Sequence, residues 1–109
     1  MKTIEDLDYY LMSNLSPKRT GLPFVVWVSP QGTAKHDVRV KVSPNAKAMP
    51  GEFATVSVRP DVVVLEGVVS PQQLRLLRKW IELNRDALVR FWGGEIEYTE
   101  DMLEQLRSI

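Results

Sequence analysis

Residues 70–92 read SPQQLRLLRKWIELNRDALVRFW, from Ser70 to Trp92, and this stretch decides the fold. Ser70 is a helix N-cap residue, and Pro71 stands at the first helical position, where its missing N–H costs nothing. Gln73 follows Ser70 by three, the spacing of a capping box. Leu74, Leu77, Ile81, Leu88 and Phe91 form one helical stripe, and Leu76, Trp80, Leu83 and Ala87 form a second beside it. Together they cover more than the usual core-facing strip of a surface helix. Arg75, Arg78, Lys79, Glu82, Asp86 and Arg90 take the remaining face. Arg78–Glu82 and Asp86–Arg90 have the i,i+4 spacing that is worth ~0.2–0.5 kcal/mol per pair. Gly93-Gly94 stops the helix. Such girth requires cover on two sides, from a sheet and from a further element or partner chain.

Working outward, the period changes from helical to alternating. Thr3 and Asp6 signal a first helix over about 4–14, with Ile4, Leu7, Leu11 and Leu15 as its stripe. SPKRTGLP (16–23) reads as a loop. LPFVVWV (22–28) is a strand with Phe24, Val26 and Val28 on one face, and SPQGT (29–33) a turn. KHDVRVKVS (35–43) places Val38, Val40 and Val42 inward and Asp37, Arg39 and Lys41 on a wet face. PNAKAMPG (44–51) is a loop. EFATVSVR (52–59) is a third strand, with Ala54, Val56 and Val58 inward, and VVVLEG (62–67) a fourth, more buried one. After the long helix, Thr99 caps a short acidic helix anchored by Met102, Leu103 and Leu106. The order is α-β-β-β-β-α-α. Short connections favour an antiparallel meander, so the expected fold is a single α+β domain over 1–109: a two-layer sandwich of a four-stranded, mainly antiparallel sheet and helices.

Composition sets the outer limits. The 109 residues hold 44% apolar and 26% charged residues, ordinary globular values. No cysteine is present, which removes disulfides, thiol nucleophiles and thiolate metal sites together. No apolar run reaches membrane-spanning length, and MKTIEDLDYY lacks the apolar core of a signal peptide, so the expected location is the cytoplasm, with no membrane association. Net charge is zero but unevenly spread. Lys18, Arg19, Lys35, Arg39, Lys41 and Lys47 face only Asp37 over 16–47, whereas Glu95, Glu97, Glu100, Asp101 and Glu104 face only Arg107 over 95–107.

Two uses of surface follow. Trp80, Phe91 and Trp92 are residue types that dominate interfaces, and they point to a protein partner or self-association as a homo-oligomer. In the alternative, Lys35, Arg39 and Lys41, with Trp27 to stack a base, bind nucleic acid, and His36 beside them acts on an RNA phosphate. His36 is the single histidine, and no second acid–base group is identifiable with it. No nucleotide-loop, G-x-S-x-G or S-x-x-K motif occurs, and no metal-ligand spacing or cofactor motif is found.

VVVLEGVVSPQQLRLLRKWIELNRDALVRFWGGEI (62–96) resembles a family of small bacterial proteins of unknown function that often lie beside a second small gene in toxin–antitoxin-like pairs. Trp80, Glu82, Leu83, Leu88 and Trp92 match its W-x-E-L-like helix with a second Trp. The family's H-x-H-V-R strand corresponds to Lys35-His36-Asp37-Val38-Arg39, where Val38 and Arg39 match and His36 falls between the two replaced histidines. The resemblance spans about 35–95 and implies the strand–helix unit and a paired-gene context. The leading expectation is a non-enzymatic cytoplasmic protein-interaction module, one member of such a pair; the alternative is a nucleic-acid-binding or RNA-cleaving protein using the strand around His36.

Overall fold

The computed structural model describes residues 12–43 and 53–109. Five strands form one antiparallel meander in chain order: β1 Ser13–Leu15, β2 Val26–Val28, β3 Arg39–Val42, β4 Ala54–Ser57 and β5 Val64–Glu66. A single helical turn, α1 (Pro17–Thr20), joins β1 to β2, and α2 (Pro71–Trp92) and α3 (Thr99–Gln105) follow the sheet. The α+β class and the antiparallel meander agree with the sequence; the strand count is five rather than four.

The additional strand is β1. The helix expected over 4–14 lies outside the described residues as far as position 11, but Ser13–Leu15 pair with Val28–Val26 of β2. The local reason is the Ser16-Pro17 junction. A residue before proline is pushed into the extended region, and Ser16 sits at φ −72°, ψ 158°. Pro17 then opens α1 within the stretch expected as loop. The loop expected over 44–51 also lies outside the described residues.

Register defines two sheet faces. Leu15, Val26, Val42 and Ala54 form one cross-strand row, and with Val28, Val40, Val56 and Val58 they make the inner face. Leu77, Trp80, Ile81, Leu88 and Phe91 of α2 pack on that face in one continuous core. Full burial of an aliphatic side chain contributes about 1.5–3 kcal/mol. The neighbouring row, Asn14, Trp27, Lys41, Thr55 and Glu66, belongs to the outer face. Its centre is not wet, contrary to the alternating pattern: Trp27, Lys41 and Thr55 are all buried.

β5 also departs from expectation. The apolar run predicts a more buried strand, yet β5 is a sheet edge, with Leu65 and the preceding Val63 about half exposed. Thr55 pairs with Glu66 and Val56 with Val64, so Leu65 is an extra residue in a bulge. A run of three valines records apolarity but not how many neighbours a strand has.

The long helix starts as its side chains dictate. Ser70 Oγ accepts from Gln73 N at 3.1 Å, and Gln73 Oε1 accepts from Ser70 N at 3.3 Å. It ends at Gly93-Gly94, where Gly94 takes φ +83° and Glu95 N reaches back to the Arg90 carbonyl at 2.9 Å. Asp86–Arg90 forms at 3.5 Å. Arg78 does not pair with Glu82; its Nη2 donates to the Val62 carbonyl at 3.3 Å and ties α2 to the sheet. Arg85 Nε does the same to the Val58 carbonyl at 2.9 Å.

Of the second stripe of α2, Trp80 and Ala87 are buried and Leu76 is partly buried. Ile96 and Met102 join the core, with Leu103 and Leu106 packed against it. Buried Asn84 then fixes the following segment: its Oδ1 accepts from Arg107 N at 2.7 Å, and its Nδ2 donates to the Arg107 and Trp80 carbonyls at 2.9 Å each. Leu83 of that stripe is 46% exposed. At α3 the cap is Tyr98 rather than Thr99, whose hydroxyl instead meets Ser13 Oγ at 3.3 Å.

Candidate functional site

Where the end of α2 meets the sheet, the segment 29–34 folds back on itself. Gln31 N donates to the Trp92 carbonyl at 3.0 Å, Ala34 N donates to the Gln31 carbonyl at 2.9 Å, and Gln31 Nε2 returns to the Ala34 carbonyl at 3.2 Å. These bonds hold the loop away from β3 and leave a cavity of about 460 Å3 between them. Its described lining includes Gln31, Thr33, His36, Arg39, Lys41 and Trp92.

His36 is placed by two contacts. Its ring stacks on Trp92, with centroids 5.3 Å apart and planes inclined by 30°. Its Nδ1 lies 2.9 Å from the Asp37 carbonyl oxygen, which can only accept, so in the neutral ring the proton sits on Nδ1 and Nε2 keeps its lone pair. Trp92 is buried and closes the core on one side while meeting His36 on the other.

Arg39 and Lys41 stand two apart on β3, hence on one face and about 7 Å apart along the strand. Lys41 is 8% exposed, with its Nζ 4.4 Å from the centre of the Phe53 ring. This is a cation–π contact. Among the described residues neither Arg39 nor Lys41 has a carboxylate partner. The nearby acid, Asp37, is already engaged by Arg59: Nη2 meets Oδ1 and Nε meets Oδ2, each at 2.9 Å. The cavity therefore has two adjacent cations, an aromatic stack and no carboxylate in its described lining.

The Asp37–Arg59 pair is itself a titrating element. The Arg59 hydrogen bonds, then the Val38 backbone N–H, hold the Asp37 carboxyl below its ordinary 3.8. Arg59 is raised by the same hydrogen bonds. A carboxyl depressed in the folded state contributes stability that is present above its unfolded value and lost as pH falls through the folded one. The stability gap between the native chain and Asp37→Asn is therefore expected to be flat at neutral pH, to narrow below 3.8 and to close in stronger acid. Both side chains are about half exposed, so added salt shrinks the gap as well. Urea titrations at several pH values measure it; a gap that widens on acidification contradicts the assignment.

Of the residues singled out by sequence, the cavity gathers His36, Arg39 and Lys41 from the basic strand and Trp92 from the aromatic set. Lys35 is exposed beside His36 and outside the lining. Trp27 faces Lys41 across the β2–β3 pair but is 1% exposed, so no base can stack on it in this conformation. Trp80 and Phe91 are buried in the core, and Trp80 Nε1 finds no hydrogen-bond partner among the described residues. Sequence reasoning missed Gln31, Thr33 and Phe53. SPQGT was legible as a turn, but nothing local placed it against the end of α2.

A second depression, of about 360 Å3, lies among Arg90, Glu95, Glu97, Tyr98, Asp101, Glu104 and Gln105. Arg90 is held there by Glu95 at 3.1 Å and Gln105 at 2.9 Å. Among the described residues no group of three or more histidines and carboxylates is placed to hold a metal ion. Nor is any described helix long and apolar enough to cross a membrane.

Residues 46–93 match the family described as Domain of unknown function (DUF4160). The DUF4160 match covers less than half the chain. It takes in β4, β5 and α2 and stops just after Trp92; β1–β3 and the loop 29–34 lie outside it. It agrees with the expected resemblance to a family of unknown function over the strand–helix unit. Only Trp92 of the cavity lining named above falls within the DUF4160 region. No curated protein and no solved structure matches the chain.

Proposed function

We propose that this protein binds single-stranded nucleic acid at the cavity between the loop 29–34, β3 and the end of α2. The observation that carries the reading is the pairing of Arg39 and Lys41, neither with a carboxylate partner among the described residues, with the His36–Trp92 stack in one concave site. Adjacent cations repel, and an anionic ligand supplies the missing counter-charge. An aromatic stack beside them suits an unpaired base, which a duplex does not offer. Binding rather than cleavage is assigned, because the described lining holds one histidine and no carboxylate to serve as its complementary acid or base.

Fluorescence anisotropy of a short labelled RNA at low salt tests the reading. Binding is expected to weaken with added salt and to fall about tenfold or more in Arg39→Ala and in Lys41→Met, the loss of ~1.4 kcal/mol or more. Arg75→Ala, on the exposed face of α2, should bind as the native chain does. Absence of binding at low salt sinks the proposal. RNA product analysis on the same samples checks the assignment to binding, and cleavage that vanishes in His36→Ala would overturn it.

A second reading keeps the protein-interaction role, with a partner or another copy of the chain, in the paired-gene setting and cytoplasmic location that the sequence suggested. Trp80, Phe91 and Trp92 are buried, so its support lies at the sheet edge, where Leu65 of β5 and the flanking Val63 and 92%-exposed Val68 are apolar and exposed. Light scattering with and without the RNA separates the two: a monomer that binds RNA favours the first.

A further inference from the structure

We infer that the unit recognised in this cavity is a phosphorylated strand end: one terminal nucleotide, with its phosphate between Arg39 and Lys41 and its base against the exposed side of His36. The inference rests on the nucleic-acid reading above and narrows it. Three observations carry it.

The first is size. A cavity of about 460 Å3 encloses one nucleotide-sized ligand rather than a run of several, being near the lower end of the ~300–1,000 Å3 range of small-molecule sites. The second is the extent of the positive charge. Proteins that track a strand present a continuous basic groove. Here the basic row stops at Arg39: the next outward residue, Asp37, is acidic and is neutralised by Arg59. On the other side the row meets Thr55 and Ser57 of β4, which carry no charge. Two neighbouring cations on one strand face, with no continuing basic row, suit the two negative charges of a terminal monoester, whereas an internal phosphodiester carries one. The third is the stack. Trp92 is the one ring that His36 meets among the described residues, and His36 also borders the cavity, so a ligand ring placed against it extends an existing stack. The loop 29–34, fastened to the Trp92 carbonyl, forms one wall of the site.

The test compares one RNA sequence carrying a 5′-phosphate, a 3′-phosphate or hydroxyls at both ends, with the complete protein. A phosphate at one end is expected to tighten binding at least tenfold over the hydroxyl-ended strand. A nucleoside monophosphate should compete where the nucleoside does not. The salt dependence should correspond to about two neutralised phosphate charges, a log–log slope of about −1.4. In Arg39→Gln the advantage of the phosphorylated end should disappear, with thermal melting confirming that the variant is folded. Equal affinity for all three strands, or a slope several times steeper, overturns the strand-end inference and leaves the nucleic-acid reading standing. Failure of every strand to bind removes both.

Discussion

Gly67→Ala is expected to lower the unfolding free energy by about 2–5 kcal/mol, the sum of left-handed backbone strain and local overpacking. Gly67 lies just beyond β5, where the chain leaves the sheet edge for the lead-in to α2, and it takes φ +81°. A side chain is disfavoured there on conformational grounds alone. It would also have no room: a Cβ at this position would lie 2.8 Å from Ala54 Cα and 3.0 Å from both Ala54 Cβ and the Phe53 carbonyl oxygen. Two of these atoms are backbone at the start of β4, so relief requires the strands to part. Gly94 isolates the first contribution, since it has nearly the same φ, +83°, and a Cβ there meets nothing within 4 Å. Gly94→Ala should therefore cost only about 1–2 kcal/mol, the strain without the crowding. Urea denaturation of the three proteins measures the difference, and equal losses at Gly67 and Gly94 would show that the close approach to Ala54 is not felt. Because Phe53 adjoins Ala54 and its ring lies under the Lys41 ammonium, Gly67→Ala should also weaken ligand binding at the cavity.

The second large effect is expected at Asn84. Its carboxamide satisfies both the N–H and the C=O of Arg107, as a neighbouring strand would. Asn84→Ala leaves those partly buried groups without partners and should cost about 2–4 kcal/mol, given ~1–3 kcal/mol for each unsatisfied buried group. Hydrogen exchange at the Arg107 amide should lose its protection at the same time. Asn84→Asp separates hydrogen bonding from packing. The new carboxylate can still accept from Arg107 N, but it sets negative charge against the Trp80 and Arg107 carbonyls in a buried position. Burial raises its folded-state pKa above the unfolded value, so the penalty is full at neutral pH and eases as pH falls through the raised value. Asn84→Asp should therefore gain stability on mild acidification, the reverse of the trend at Asp37. A variant equally unstable at every pH would place the loss in packing alone.

Asn84 also shows how far a sequence can be read. It interrupts the apolar stripe at the position between Ile81 and Leu88, and a polar residue in such a place signals a buried hydrogen-bonding role. The partner is 23 residues away, and no local pattern names it. β1 is a parallel case. Leu11 and Leu15 fit a helical stripe, yet Leu15 is equally suited to an inward row of a sheet, and the choice depends on the available edge of β2. Ser16-Pro17 is the local signal against a helix through this point. The triple valine of β5 marks a strand correctly but gives no information about its being an edge. For the site, the alternating pattern of 35–43 placed Arg39 and Lys41 on one face, and that holds. The stack of His36 on Trp92 joins residues 56 positions apart by number, and neither helical nor strand periodicity carries it.

What the sequence determined by itself is whatever closes within a turn or a strand pair. The capping box at Ser70 and Gln73, the glycine stop after Trp92, the inward rows Val38–Val40–Val42 and Ala54–Val56–Val58, and the α+β class are fixed by hydrogen bonds and side-chain directions a few residues apart. The tertiary structure decided what depends on which surfaces meet. It brought Ile96 and Met102 into the same core as α2, withdrew Trp80 and Phe91 into it, and buried Trp27 on the outer sheet face. It also brought a turn, a basic strand and a helix end around one cavity. The physical reason is that burial is non-directional: the apolar pattern states that a face must be covered, and only the assembled fold determines by what.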